Sequence, residues 1–157
     1  MRAGAHRCAV LALAVLFAAG CGQAPAGTGV ITLAVPSSPN SFDPRVATDE
    51  ISQKVAQLVY DNLLTLDERL NVVPGLAESW EQPDPLTYLV HLRKGVRFHD
   101  GHELSSADVV HTFGSLIDPA FVSPRKGAYR LLDAVTAVDA TTVKFTLKEP
   151  FGSFPIN

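Results

Sequence analysis

The sequence is poor in cysteine and in clustered basic residues, and it has no long hydrophobic run. Cys8 and Cys21 are the only two cysteines among 157 residues, too few for a disulfide framework. Its 13 lysines and arginines face 16 aspartates and glutamates, so the net charge of −3 argues against a nucleic-acid-binding protein, which needs a concentrated basic surface. No apolar stretch reaches the roughly 18 residues of a membrane-spanning helix, which excludes a protein with several such helices.

What is present is an ordinary globular composition. Apolar residues make up 46% of the chain, which excludes a wholly disordered protein. The length of 157 residues predicts a single folded domain.

The first 20 residues have the layout of a secretion signal. Arg2 and Arg7 precede an uninterrupted apolar stretch from Cys8 to Ala19, and small residues follow it. The stretch is too short to span a bilayer, and it has no polar face that a surface helix could turn toward water. We therefore predict a signal peptide over residues 1–20.

The tetrad Ala18-Ala19-Gly20-Cys21 resembles a bacterial lipobox, in which the cysteine thiol receives a diacylglyceryl group and becomes the new N-terminus. Lipoboxes usually carry leucine where this chain has Ala18, so ordinary secretion is the alternative. Small, polar and proline residues follow, which is typical of a flexible tether. We expect lipidation of Cys21, a tether over residues 21–29 and a folded domain over residues 30–157.

Short apolar runs and alternating patterns predict strands. Val30–Val35 is rich in β-branched residues and typical of a strand buried on both faces. Leu86–Leu92 alternates apolar and polar residues, and the alternation continues at 96–98 beyond a Lys-Gly corner, which predicts a hairpin. A second hairpin is predicted over Leu132–Leu147, with its turn at 139–141.

Two segments have helical periodicity. Asp49 is the expected N-cap of a helix that ends near Leu64. Ser105 and Asp108 have the capping-box spacing before a second apolar stripe. Strands that alternate with single helices predict a mixed α/β fold, and Trp80 and Phe98 are expected in its core.

The sequence offers little catalytic chemistry. The pair His99 and His102 flanks a turn, so the two imidazoles need not converge, and no third ligand stands at a recognisable spacing; we predict no metal site and no cofactor. Because a Gly-x-Ser-x-Gly motif and the phosphate-binding glycine motifs are also missing, we predict that the protein is not an enzyme.

Several motifs together resemble the peptide/nickel-type solute-binding proteins of bacterial ABC importers, extracellular solute-binding family 5. They follow the family's order over about two thirds of the chain: Phe42-Asp43-Pro44, Tyr60–Leu64, Val73–Trp80, Tyr88–Gly101, Leu104–Val110 and Thr142–Leu147. The resemblance implies a type II periplasmic-binding-protein fold. Because family members are several times longer, the chain is expected to be the N-terminal part of the first lobe, with the second lobe absent. It also implies that the Phe-His-Asp-Gly stretch braces the lobe rather than binding a ligand.

The resemblance further implies a function. The chain is expected to belong to a monomeric substrate-binding component that binds di- or oligopeptides, or similar small solutes, and delivers them to a membrane permease. Its expected location is the cell envelope, either anchored by lipid to the outer face of the cell membrane or periplasmic. A nickel or metal-chelate receptor of the same family and a secreted hydrolase are the alternatives.

Two places are candidates for ligand contact. The loop Pro36–Ser41 follows the first predicted strand, and loops at the carboxyl ends of buried strands line the crevice of open α/β sheets. Its candidate residues are Ser37, Ser38, Asn40 and Ser41. Tyr129, in a basic loop that contains glycine, is the second candidate, as an aromatic cover for a cleft.

Overall fold

The structure, a computed structural model, describes residues 31–156. The chain divides after Ala34 into two units, and every helix and strand described here lies in the second, which begins at Val35. The predicted signal peptide, the lipidation of Cys21 and the tether over 21–29 lie outside the described residues. Within residues 31–156, no helix has the length and apolarity needed to cross a membrane.

The second unit contains two helices, six strands and two 3₁₀ turns. In chain order they are α1 (Glu50–Val59), β1 (Leu64–Leu66), β2 (Val72–Pro74), β3 (Ala77–Asp84), β4 (Thr87–Leu92), α2 (Ser106–Ile117), a 3₁₀ turn (Pro124–Gly127), β5 (Leu132–Asp139), β6 (Thr142–Leu147) and a second 3₁₀ turn (Phe154–Ile156).

A four-stranded antiparallel sheet of order β3-β4-β6-β5 carries the core. In the central ladder Tyr88 pairs with Phe145 and Val90 with Val143, so alternation places all four side chains on one face. Helix α2 packs on that face. The buried apolar cluster is formed by Ala77, Tyr88, Val90, Leu92, Val109, Leu132, Val135, Val143, Phe145 and Leu147.

The predicted hairpin over Leu132–Leu147 is confirmed as β5 and β6. Its turn forms because Asp139 Oδ1 accepts a hydrogen bond of 2.8 Å from the backbone N–H of Thr141. The inward-facing residues of β6 are fully buried, as its alternation predicts.

The predicted hairpin of Leu86–Leu92 with 96–98 is wrong, because β4 pairs with the preceding strand β3 and not with the following segment. Gly95 adopts a φ of +74°, which turns the chain out of the sheet. The segment then folds on itself, with the N–H of Phe98 donating to the carbonyl of His102. Phe98 is consequently 45% exposed, not in the core, and Trp80 is half-buried at the edge of the core.

The strand predicted over Val30–Val35 is also wrong for its described residues. Residues 31–35 form no strand, and Ile31 is 86% exposed. A strand needs a paired neighbour to satisfy its N–H and C=O groups, and none of the described strands pairs with residues 31–35.

The first helix begins as predicted and ends early. Asp49 is its N-cap, accepting a hydrogen bond of 2.9 Å from the N–H of Ser52. The helix ends at Val59 rather than near Leu64, because Leu64 opens strand β1 and pairs with Pro74 of β2.

The second helix is confirmed with its capping box. Asp108 Oδ2 accepts hydrogen bonds of 2.9 Å from the N–H and 2.8 Å from the Oγ of Ser105. Burial raises the pKa of the Asp108 carboxyl, but these hydrogen bonds and the nearby His102 together hold that pKa below its ordinary value.

The cap of helix α2 should therefore stabilise the protein at neutral pH and lose this effect in acid. A carboxyl with a lowered pKa in the folded state stabilises the protein fully above the ordinary aspartate pKa of about 4, and this contribution is lost as the pH falls through the lowered value. Between pH 7 and pH 2, we expect the free energy of unfolding of the wild type, measured in urea, to fall by roughly 1 kcal/mol more than that of Asp108→Asn. Glu68→Gln, on the exposed β1–β2 turn, is the control; equal pH profiles for wild type and Asp108→Asn would contradict the prediction.

Candidate functional site

The far end of the candidate loop Pro36–Ser41 is fixed to helix α1. The buried hydroxyl oxygen of Ser52 accepts hydrogen bonds from the N–H of Asn40 at 2.9 Å and of Ser41 at 3.3 Å. The same hydroxyl group lies 3.1 Å from Asn40 Oδ1, to which it can donate. Ser37 and Ser38 are exposed. The loop therefore has one anchored end and one end at which two hydroxyl groups face solvent.

A carboxylate lies beside this anchored end. The side chain and the backbone N–H of Ser52 lower the pKa of Asp49, which keeps the carboxylate ionised at neutral pH. The positive end of the α1 dipole is thus already met by a negative charge. This end of the loop suits a neutral or cationic group better than an anion.

The segment after the loop is attached to α2 and to the turn that follows it. Arg45 Nη1 donates to Ser115 Oγ at 3.0 Å, and its guanidinium carbon lies 4.9 Å from the ring centroid of Phe121. Arg125 Nη2 donates to the carbonyl of Ala47 at 2.9 Å. These contacts hold the beginning of α1 against the loop that precedes β5.

Tyr129 lies between the first 3₁₀ turn and β5. Its ring meets that of Phe113 edge to face, with centroids 5.7 Å apart. Burial raises the pKa of Tyr129, and the nearby charge of Arg125 opposes this only in part. No hydrogen bond joins its hydroxyl to another of the described residues.

Tyr129 lines a cavity of about 440 Å³ between the β1 region, α2, β6 and the second 3₁₀ turn. The cavity is lined by Asn62, Leu63, Leu64, Thr65, Leu66, Val90, Phe113, Tyr129, Phe145, Phe154 and Pro155. We call it the aromatic cavity, because four of these side chains carry aromatic rings. None of the lining residues is charged.

The structure does not bring the two predicted candidates together. Ser37, Ser38, Asn40 and Ser41 are not among the residues that line the aromatic cavity, whereas Tyr129 is. The sequence pattern marks Phe113 and Phe145 only as apolar positions of a helix and a strand. It does not predict the β1 wall of the cavity, because the helical periodicity continues to residue 64.

The histidine pair has no third partner in the described part of the chain. His99 is exposed, and His102 Nε2 lies 3.9 Å from Asp108 Oδ2. Among residues 31–156, no group of three or more histidine, cysteine, aspartate or glutamate side chains is placed to hold a metal ion.

Comparison with known proteins places the chain among binding proteins. The family model described as "Bacterial extracellular solute-binding proteins, family 5 Middle" matches residues 71–157. The glutathione-binding protein GsiB of Escherichia coli (strain K12) is 37% identical over 155 residues, which are 98% of this chain and 30% of GsiB. The chain thus spans about a third of the length of the curated relatives that it matches.

Solved structures agree with this likeness. The oligopeptide-binding protein AppA from Bacillus subtilis, in complex with a nonapeptide, superposes with a TM-score of 0.70 and 37% identity over 72% of this chain and 23% of AppA. NikZ from Campylobacter jejuni, in complex with Ni(L-His), gives a TM-score of 0.59 and 30% identity over 62% of this chain and 20% of NikZ. These superpositions confirm the predicted α/β fold as part of the type II periplasmic-binding-protein fold.

Proposed function

Because the chain belongs to the bacterial extracellular solute-binding proteins of family 5, we propose that it is part of the substrate-binding component of an ABC importer. This component binds di- or oligopeptides, or similar small solutes, outside the membrane and delivers them to a permease. The observation that carries the proposal is the likeness to AppA, whose structure holds a nonapeptide. Binding is reversible and involves no chemical conversion of the ligand.

The ligand contacts that we propose lie in two places. Ser37 and Ser38 offer hydroxyl groups to the main chain of a peptide, and Asn40 and Ser41, whose N–H groups bond to Ser52, offer a side-chain amide and a hydroxyl group. Recognition through the main chain is compatible with many side chains. Tyr129 is the proposed contact for a part of the ligand that packs on an aromatic ring.

We also propose that the protein acts as a monomer in the cell envelope. A signal peptide over residues 1–20 would direct secretion, and a lipid on Cys21 would hold the protein at the outer face of the cell membrane. Without the lipid, the same protein would be periplasmic.

The binding proposal is tested by thermal unfolding of the purified protein with a panel of peptides. A ligand that binds only the folded state stabilises it by about 2.7 kcal/mol at a concentration 100 times its Kd, so we expect a concentration-dependent rise in Tm with at least one class of peptide. Ser37→Ala/Ser38→Ala should reduce the rise, whereas Ser79→Ala, an exposed serine of β3, should leave it unchanged.

Three results would overturn the proposal. The first is a Tm that no peptide raises. The second is stabilisation by Ni²⁺ or its histidine complex alone, which would favour the metal-chelate receptor. The third is loss of intact peptide during incubation, followed by mass spectrometry, which would favour a hydrolase.

A further inference from the structure

The aromatic cavity has the dimensions of a ligand site. Small-molecule sites commonly measure roughly 300 to 1,000 Å³, and an apolar cavity of roughly 150 Å³ can already bind benzene. At about 440 Å³, the aromatic cavity has room for a two-ring aromatic group. The cavity opens to solvent on one side, so a ligand can enter it.

The chemistry of the walls limits the class of ligand. Phe113 packs edge to face on Phe145, with centroids 5.1 Å apart, and Phe145 lies 5.5 Å from Phe154, so the three rings form one aromatic cluster in which the buried Phe145 lies between the other two. Because no lining residue is charged, an ionised group in the cavity finds no oppositely charged side chain there. The walls therefore favour an uncharged aromatic ring.

Tyr129 offers a polar contact in the aromatic part of the wall, in addition to the polar side chains of Asn62 and Thr65. Its phenol is half-buried, and none of the described residues is hydrogen-bonded to its hydroxyl. A ligand group that pairs with this hydroxyl replaces a hydrogen bond to water, so the pair makes a modest contribution to binding. A ring with a single N–H or O–H group can form such a pair.

We propose that the aromatic cavity binds an uncharged aromatic ring carrying one hydrogen-bonding group, which pairs with the hydroxyl of Tyr129. The ring can be a free small molecule or the aromatic side chain of a bound peptide, and the second source rests on the proposed function. Neither source requires a charged group in the cavity.

Isothermal titration calorimetry on the purified protein, with indole as the probe, tests the cavity itself. Indole should bind, and indole-3-acetate, which adds a carboxylate to the same ring, should not. Tyr129→Phe keeps the ring and removes the hydroxyl, so it should weaken indole binding roughly two- to tenfold and leave binding of 1-methylindole, which has no N–H, unchanged. Tyr60→Phe, outside the aromatic cavity, is the matched control and should behave as wild type.

A second set of titrations, with peptides, distinguishes a free aromatic molecule from the aromatic side chain of a bound peptide. If Gly-Trp-Gly binds more tightly than triglycine and indole competes with it, the ring comes from a peptide; if indole binds without competing, the ring is a free molecule. Binding of indole without binding of any peptide would leave the cavity site standing and overturn the proposed function. If triglycine binds as tightly as Gly-Trp-Gly and indole does not bind, the cavity site alone is overturned. Equal binding of indole and indole-3-acetate would also contradict the cavity site.

Discussion

Phe145→Ala is expected to lower the free energy of unfolding by about 3 to 5 kcal/mol. Phe145 is 2% exposed in the middle of the central strand β6, opposite Tyr88 of β4 and Val135 of β5. Its ring also packs against those of Phe113 and Phe154. Truncation removes the buried ring and enlarges the adjoining aromatic cavity, so the neighbours lose contacts that they cannot replace.

The same substitution at an exposed position is the control. Phe42 is 61% exposed, and we expect Phe42→Ala to change the free energy of unfolding by less than about 1 kcal/mol. Denaturant titrations followed by circular dichroism measure both variants. Equal losses at the two positions would show that Phe145 is not at the centre of the core.

Gly75→Ala is expected to lower the free energy of unfolding by about 3 kcal/mol, because two backbone segments approach each other closely here and leave no room for a side chain. A Cβ on Gly75 would lie 2.4 Å from the carbonyl oxygen of Asn62 and 3.1 Å from that of Leu63. These carbonyls accept backbone hydrogen bonds from residues 75–77, which connect β2 to β3. Since backbone atoms cannot turn aside as a side chain does, the β1–β2 hairpin must shift and these bonds must lengthen.

Gly127→Ala is the matched control for Gly75→Ala. No atom lies within 4 Å of the Cβ that would be added at Gly127, and its φ is not in the left-handed region. We expect a change of less than about 0.5 kcal/mol, or a slight stabilisation from the lower entropy of the unfolded chain. Equal free energies of unfolding for the two variants would contradict the close approach at Gly75.

Elements whose stabilising contacts are local could be predicted from the sequence. Helix α2 carries its own start signal in Ser105 and Asp108, and the β5–β6 hairpin carries its turn in Asp139. Asp49 likewise marks the start of α1. In each case, hydrogen bonds within a few residues decide the structure, so the sequence pattern contains the information.

Elements that depend on distant partners could not be predicted in this way. Leu64 has helical periodicity with the preceding residues, but its pairing with Pro74 places it in a strand. Residues 31–35 have strand propensity, but none of the described strands pairs with them. The aromatic cavity was missed for the same reason, since residues far apart in the chain meet only when α2, β6 and the β1 region pack together.

The position of β5 at the edge of the sheet affects self-association. Its outer side has no partner among the described residues, and Val138 is 58% exposed, so a second copy could add there as a fifth strand. Asp133 and Asp139 lie at the two ends of this strand, so an antiparallel pair of two copies brings their carboxylates to one seam. The backbone N–H of Thr141 lowers the pKa of Asp139, which keeps it ionised, and like charges directly opposite each other destabilise a strand pair. Two aspartates on one short strand thus disfavour the addition of a second copy at this edge.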